Sequence, residues 1–432
     1  MKITQKNRWI PVVASVAIQI CLGTAYIWSV FQNGIAQGIF NGNQANASLV
    51  FSLLLATLTI GSTLSGFLQK WLNVRAIIII GGIVLGIGFI LASFVKPNVG
   101  WALWLTYGVL GGIGMGLTYS TTIAVSQKWF PDKRGAITGI IVAALGFGGV
   151  IFTPVVEALI KAFATSVPAS GELKTFMILG FIFLAVCTAC GFFVVEPPKG
   201  YKPTGWEPKV NPNISYTNLR PKEMFKTYQF YLIIISFFLA CMGGLMMINF
   251  AKPIALAKGM TPSVASIGVM IISLCNSLGR LFWGFISDKL GRKITIIILL
   301  CGTAILSLFV NLATGAFIII LIGLIGFFYG GFLSNYPSLT ADYFGPKNVA
   351  FNYGIVLLGF GAGAVVSSYV AGYFKNLATE NISKMFPAFI IASVAAAVAI
   401  ILVVFLKPIK VAKTEEPKVE NIEEPKQETV EG

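Results

Sequence analysis

Twelve apolar runs constrain this chain more than any other feature of its 432 residues: 9–31, 47–69, 75–95, 100–126, 135–163, 172–195, 228–251, 262–287, 293–312, 315–340, 349–374 and 384–406. Each holds twenty or more residues. At about 1.5 Å of rise per residue, such a run crosses a ~30 Å hydrocarbon core as a single helix. Inside lipid every backbone N–H and C=O must be satisfied within its own segment, which leaves helices as the natural solution. The expected fold class is therefore an all-α membrane protein of twelve transmembrane helices. With 56% hydrophobic and only 11% charged residues, a soluble protein of this size has no way to cover its apolar surface. A net charge of +15 would suggest nucleic acid in a soluble protein, but the Lys and Arg residues here lie in short segments between the runs. With the N-terminus inside, 23 of the 31 fall on the cytoplasmic side and seven on the other. That bias places both termini in the cytoplasm of a multi-pass cell-membrane protein, expected to be bacterial and monomeric. The partner is the lipid bilayer, not nucleic acid.

Several chemistries are excluded or disfavoured. There is no histidine, so imidazole metal sites, histidine-based triads and the usual pH switch are absent. All six cysteines fall within apolar runs. The Cys187-x-x-Cys190 spacing copies a redox or zinc motif, yet inside a span it reads as small packing thiols. No phosphate-binding lysine loop occurs, and Gly112-x-Gly114 lacks the strand-turn-helix setting of a nucleotide fingerprint. No constellation of nucleophile, base and metal is present. An enzyme is not expected, nor a cofactor or metal. The first apolar run is too long for the h-region of a cleavable signal.

The runs divide six and six about a Pro-, Lys- and Asn-rich segment. The expected organisation is an N-terminal bundle 1–195, a cytoplasmic linker 196–227, a C-terminal bundle 228–407 and an acidic, disordered tail 408–432. Within the linker, 219–228 is expected to form a short surface helix. An internal repeat supports the split. Trp129-Phe-Pro-Asp-Lys133 resembles Tyr343-Phe-Gly-Pro-Lys347, Leu145-Gly-Phe-Gly148 recurs as Leu358-Gly-Phe-Gly361, and 66–75 is a worn copy of 284–293. Parallel repeats of this kind build transporters whose substrate sits near the midplane between two halves.

Arg280 is the only Lys or Arg placed well within a span. Ionisable groups at such depth are costly and mark substrate or ion paths. A guanidinium is always charged, and its planar fork of donors fits one carboxylate in two parallel bonds. Snorkelling to the cytoplasmic interface is the bland alternative. Direction argues against it, because side chains lean toward the helix N-terminus and span eight runs outside to inside, so Arg280 leans toward the bilayer centre. Asn276 lies four residues before and Trp283 three after, near the same face. Glu157, the only acid well within a span, is expected to pair locally with Lys161 at i+4 rather than couple protons. Lys252, at the outer end of span seven, reads as an interfacial anchor.

Gly284–Lys293 is similar to the loop signature of the major facilitator superfamily. The first copy departs from it, with Lys70 at the acidic place and Asn73 at the second glycine. Asn7-Arg-Trp9, Leu22-Gly-Thr-Ala-Tyr26-Ile-Trp28-Ser, Lys128-Trp-Phe-Pro-Asp-Lys-Arg-Gly135, Gly279-Arg280-x-x-Trp283-Gly and Asn352-Tyr-Gly354 together resemble the oxalate/formate antiporter family over about residues 7 to 407. That family is related to proton-linked monocarboxylate transporters, in which an aspartate occupies the place of Asn276. The resemblance implies two pseudo-symmetric six-helix bundles. It also implies that Tyr26, Tyr119 and Tyr329 stand where the family arrays rings around its substrate, although each could equally pack between helices. Tyr336 and Asn335 are weaker lining candidates. The oxalate-exchanging archetype carries a lysine in span eleven, where this chain has Phe360. One fixed charge matches one negative charge, and a dianion would leave about one charge buried unpaired, at a cost of several kcal/mol. Asp288, Arg292, Lys293, Lys133 and Arg134 are expected to belong to the inner gate.

These readings converge on a secondary transporter of small monocarboxylates such as formate, lactate or pyruvate, working by alternating access and anion exchange. Proton-coupled symport is the rival mechanism, and a non-transporting carboxylate sensor is the rival of another class.

Overall fold

The structure, a computed structural model, describes residues 8–198, 200–203, 205, 218–257, 259–310, 312–313, 315, 317–377 and 382–409. The middle of the linker and nearly all of the acidic tail lie outside the described residues, as does the side chain of Lys252. Twelve described helices are long and apolar enough to cross a membrane. The first, α1, runs Trp9–Leu22, tightens into a 3-10 segment at Gly23–Ile27 and resumes as Trp28–Ile39. The first half continues with α2 (Gln44–Leu68), α3 (Val74–Ala92), α4 (Trp101–Trp129), α5 (Arg134–Phe163) and α6 (Ser170–Gly191). The second half comprises α7 (Tyr228–Ala257), α8 (Pro262–Leu290), α9 (Arg292–Phe309), α10 (Phe317–Phe344), α11 (Val349–Leu377) and α12 (Phe386–Val404). The expected short helix in the linker is present as Pro221–Met224. In α4 the turns widen to π-helix over Trp104–Gly111, a feature the apolar pattern does not encode. There the Thr57 hydroxyl of α2 donates to the Gly108 carbonyl at 2.8 Å.

Two seams join the halves, α5 against α8 and α2 against α11, and glycine makes both possible. A Cβ built on Gly139 would come 2.6 Å from the Arg280 carbonyl oxygen, and one on Gly66 would come 2.1 Å from the Cα of Phe351. Small residues at such crossings let helix backbones meet directly. At the end where the linker lies, each half fastens the chain at or beside one end of the linker. The Trp129 indole donates to the Val195 carbonyl at 2.7 Å. At the matching place of the repeat, Leu219 N donates to the Phe344 carbonyl at 2.9 Å, and Asn348 and Asn352 both donate to the Leu219 carbonyl.

The repeat is asymmetric where it matters for motion. Asp288, at the linker end of α8, accepts from the Gly135 and Ala136 amides at 2.9 and 2.7 Å, so a carboxylate of the second half caps the start of α5 in the first. Lys70 holds the equivalent position at the end of α2. It stands 4.7 Å from the Phe67 ring and 5.6 Å from the Phe351 ring at the start of α11. A cation there opposes the positive end of the helix dipole. Lys70→Asp is expected to cap α11, strengthen the second seam by up to about 2 kcal/mol and slow substrate exchange roughly tenfold while raising the melting temperature. Paired flux and melting measurements check this; faster exchange with a lower melting temperature would refute it.

Candidate functional site

Arg280 sits at the middle of α8 with 0% of its surface exposed, which removes the snorkelling alternative. Its Nη1 donates to the carbonyl of Val142 on α5 at 2.8 Å, and Nη2 donates to the Tyr26 hydroxyl of α1 at 3.0 Å. The Tyr26 ring centroid lies 5.3 Å from the guanidinium carbon. Both partners belong to the first half, so the guanidinium reaches across from the second. Its Nε is buried without a hydrogen-bond partner. Among the described residues it makes no ion pair. A buried, fully charged cation held only by neutral acceptors is short of one negative charge.

Tyrosines surround it. Tyr119 of α4, Tyr329 of α10 and Tyr353 of α11 are buried and lie within electrostatic range of the guanidinium. Tyr26, Tyr119 and Tyr329 thus gather about Arg280, each from a different helix. Tyr353 was not anticipated, although it lies inside the Asn352-Tyr-Gly354 motif. Asn276 is buried one turn from Arg280 on α8, and its backbone carbonyl meets Gly330 of α10 closely. Phe360 is 4% exposed and 6.1 Å from Phe237, whose ring stacks on Tyr336 at 4.1 Å. That corner is built from aromatic rings. Tyr336 donates to the Ser236 hydroxyl at 2.9 Å and Asn335 to the Gly331 carbonyl at 2.8 Å, so both serve packing within the second half.

Trp283 departs from expectation. Its ring packs among Phe282, Phe327 and Phe328 at 5.2, 5.9 and 5.4 Å, and its Cβ lies against Gly331 of α10. A three-residue step turns a helix by about 300°, leaving a ~60° offset from Arg280. That offset carries the indole into the second half while the guanidinium points to the first. Glu157 and Lys161 are both exposed and form no ion pair with each other, contrary to the expected local pairing.

At the linker end a charge cluster locks the halves. Arg134 of α5 pairs with Asp342 of α10 at 3.0 Å, Arg292 pairs with Asp342 at 3.3 Å and with Asp288 at 2.5 Å, and Asp288 caps α5 as described. Asp342 went unnoticed in the sequence because it falls just past the apolar stretch of span ten. Lys293 and Lys133 do not join this cluster. Lys293 Nζ donates to the Val404 and Leu406 carbonyls at 2.7 and 2.9 Å, closing the open end of α12, while Lys133 is exposed. A lysine at a helix C-terminus satisfies carbonyls that have no partner within the helix.

A family model of the Major Facilitator Superfamily matches residues 13–250 and 233–429. The chain is 33% identical over 366 residues to YhjX, an MFS-type transporter of Escherichia coli K12, covering 84% of this chain and 87% of that protein. It is 28% identical over 408 residues to the oxalate:formate antiporter of Oxalobacter formigenes, covering 93% of this chain and 92% of that one. The crystal structure of the MFS transporter FucP in the outward conformation superposes with a TM-score of 0.69 at 15% identity, over 93% of this chain and all of that one. Twelve spans in two repeated halves, a shared loop signature and matches across nearly the whole length agree: the chain belongs to the Major Facilitator Superfamily, as a member similar to the oxalate/formate antiporters.

Proposed function

We propose that this protein carries small monocarboxylates across the cell membrane by alternating access. The linker end, with both termini, faces the cytoplasm, and one polypeptide suffices as the working unit. The observation that carries the reading is the unpaired Arg280: fully buried, always charged, with Nε unpartnered and, among the described residues, no carboxylate paired with it. A substrate carboxylate completes the site by lying along the guanidinium edge that includes Nε, while the Tyr26 hydroxyl, which accepts from Nη2, turns its own proton toward the same anion. Phe360, packed against the Phe237 ring, brings no positive charge of its own, so a dianion leaves one charge buried and unpaired.

The same deficit favours exchange. An empty site must carry a buried uncompensated charge through the reorientation, and a filled site does not. Among the described residues no acid pairs with Arg280 to take a coupling proton in the substrate's absence, so symport requires the proton to travel on the substrate itself. Purified protein in liposomes, with a panel of mono- and dicarboxylates competing against labelled lactate, tests the substrate class. Monocarboxylates are expected to compete at least about tenfold better than oxalate or succinate. Tighter binding of oxalate than of every monocarboxylate overturns the assignment. Accumulation driven by a pH gradient without internal anion overturns obligatory exchange.

A further inference from the structure

Between the end of α2, the first turn of α3 and the chain leaving α6 lies a cavity of about 370 Å³, with Gln69, Asn73, Arg75, Val195 and Glu196 in its wall. Two donors of that wall are idle. Arg75 Nε and Gln69 Nε2 are buried without a hydrogen-bond partner. Among the described residues Arg75 makes no ion pair, whereas Arg8, Arg134 and Arg292 each meet an aspartate. Glu196, the acid in the wall, is taken by Lys128 at 2.5 Å. The Asn73 side chain is occupied too, accepting from the Ala76 amide at 2.8 Å. A guanidinium with a buried idle donor, in the first turn of a helix, lacks an anion.

The cavity lies at the depth of lipid headgroups. α2 ends at Leu68, α3 begins at Val74 and α6 ends at Gly191, so three spans leave the apolar zone around it. Trp71, in the turn between α2 and α3, is 66% exposed, and tryptophans so placed sit at the membrane–water boundary. Toward the membrane centre, α6 carries an apolar groove of about 910 Å³ lined by Phe181, Leu184, Ala185, Ala189, Phe192 and Phe193. The chain passes directly from Phe192 and Phe193 in the groove to Val194 and Val195 in the cavity wall. A polar cradle at the boundary, continued by an apolar groove along a span, has the shape of a phosphate head joined to an acyl chain.

We infer that the cavity and the groove together hold one membrane phospholipid of net negative charge. Its phosphodiester accepts from Arg75 Nε and Gln69 Nε2, and one acyl chain lies along α6. Charge-assisted bonds from a guanidinium to phosphate are among the stronger ones available at such a boundary. Charge also selects the head. Glu196 is already neutralised by Lys128, so a choline or ethanolamine ammonium meets no free acid in the wall, while a glycerol head adds no positive charge. The bound lipid ties the start of α3 to the chain after α6, steadying the first half where the linker leaves it. The site is separate from Arg280 and holds whichever carboxylate the protein carries.

The full chain in detergent is given phosphatidylglycerol or phosphatidylcholine with the same acyl chains, and retained lipid is counted by native mass spectrometry. Phosphatidylglycerol is expected to be retained at least about fivefold more than phosphatidylcholine. Arg75→Gln is expected to lower phosphatidylglycerol retention about tenfold and to bring the two lipids level. Ala189→Trp fills the groove from an exposed position and is expected to lower retention of both lipids several-fold. Lys289→Gln removes an exposed charge at the same end, on the second half, and is expected to change neither. Unchanged melting temperatures in lipid-free detergent certify that the variants are folded. Equal retention of the two lipids by the parent, or equal losses in Arg75→Gln and Lys289→Gln, overturns the inference. Inorganic phosphate supplies the last arm. If it displaces phosphatidylglycerol while Ala189→Trp has no effect, the cavity takes a free anion and the lipid assignment falls.

Discussion

Arg280→Gln is expected to abolish carboxylate exchange, lowering apparent affinity by at least about a hundredfold, without lowering the melting temperature of the ligand-free protein. Truncating one partner of a buried, hydrogen-bonded charge pair costs about 2–5 kcal/mol, and each 1.4 kcal/mol is tenfold. The cost arises only when an anion is present, because among the described residues nothing in the protein pairs with this guanidinium. The empty variant loses two hydrogen bonds, to the Val142 carbonyl and the Tyr26 hydroxyl, but also sheds a buried charge that was held only by neutral groups. The two terms oppose each other. A structural arginine behaves otherwise: its loss would destabilise the empty fold. Thermal melts with and without lactate separate the cases. The parent gains stability from a ligand that binds only the folded state, and Arg280→Gln loses that gain. Arg280→Lys keeps the charge but not the fork, and is expected to retain weak exchange, reduced about tenfold or more. A fall of several degrees in the melting temperature of the empty glutamine variant, with exchange largely retained, would mark Arg280 as scaffolding.

The parts of this site that were legible in the sequence share one property: they are exceptions to a uniform background. A single guanidinium in twelve apolar spans stands out because lipid makes every buried charge expensive. Tyr26, named beside it as a ring of the same site, is found hydrogen-bonded to it. The twelve spans themselves are legible because backbone hydrogen bonding in lipid allows so few alternatives. Trp283 was misplaced because a helical face is a sector, not a line. Residues three apart diverge enough for one to face α5 and the other α10. The Val142 carbonyl was invisible for a deeper reason, since every residue carries one and only packing decides which meets a guanidinium. Asp342 was hidden by helix length. α10 runs to Phe344, beyond the point where hydropathy alone would stop it, and the acid in its last turn faces two arginines. Lys293 copied a gate motif by position, yet its reach is set by α12, whose end no local pattern near 293 foretells.

Asp288→Asn is expected to leave the substrate site intact and to open the linker end. In the present conformation that end is closed by one carboxylate with two duties. Asp288 accepts from both Gly135 and Ala136 amides, at the positive pole of α5, and it anchors Arg292, which in turn holds Asp342 together with Arg134. An asparagine keeps the shape, retains one acceptor oxygen and puts an amide donor where the other stood, against a backbone N–H that also donates. Hydrogen bonds to a charged group contribute about 1.5–3 kcal/mol each, and the helix-terminus charge up to about 2 kcal/mol more, so the closed state loses on the order of 3 kcal/mol. A shift of that size changes the closed-to-open ratio about a hundredfold. Spin labels at Lys133 and Lys289, two exposed positions on opposite halves at this end, report the opening directly. The Asp288→Asn protein is expected to show the longer distance as its main population, the parent the shorter. Because exchange requires both closed and open states, the rate falls at least about tenfold while the affinity for lactate changes little. Asp288→Glu keeps the charge on a longer arm and is expected to restore part of the rate. If the label distance in Asp288→Asn matches the parent while lactate affinity collapses, the cluster is a substrate-site element and not a gate. That outcome is opposed by the distribution of its bonds, which join α5 to α8 and α10 at the linker end and leave Arg280, two turns away on α8, tied to other atoms of the first half.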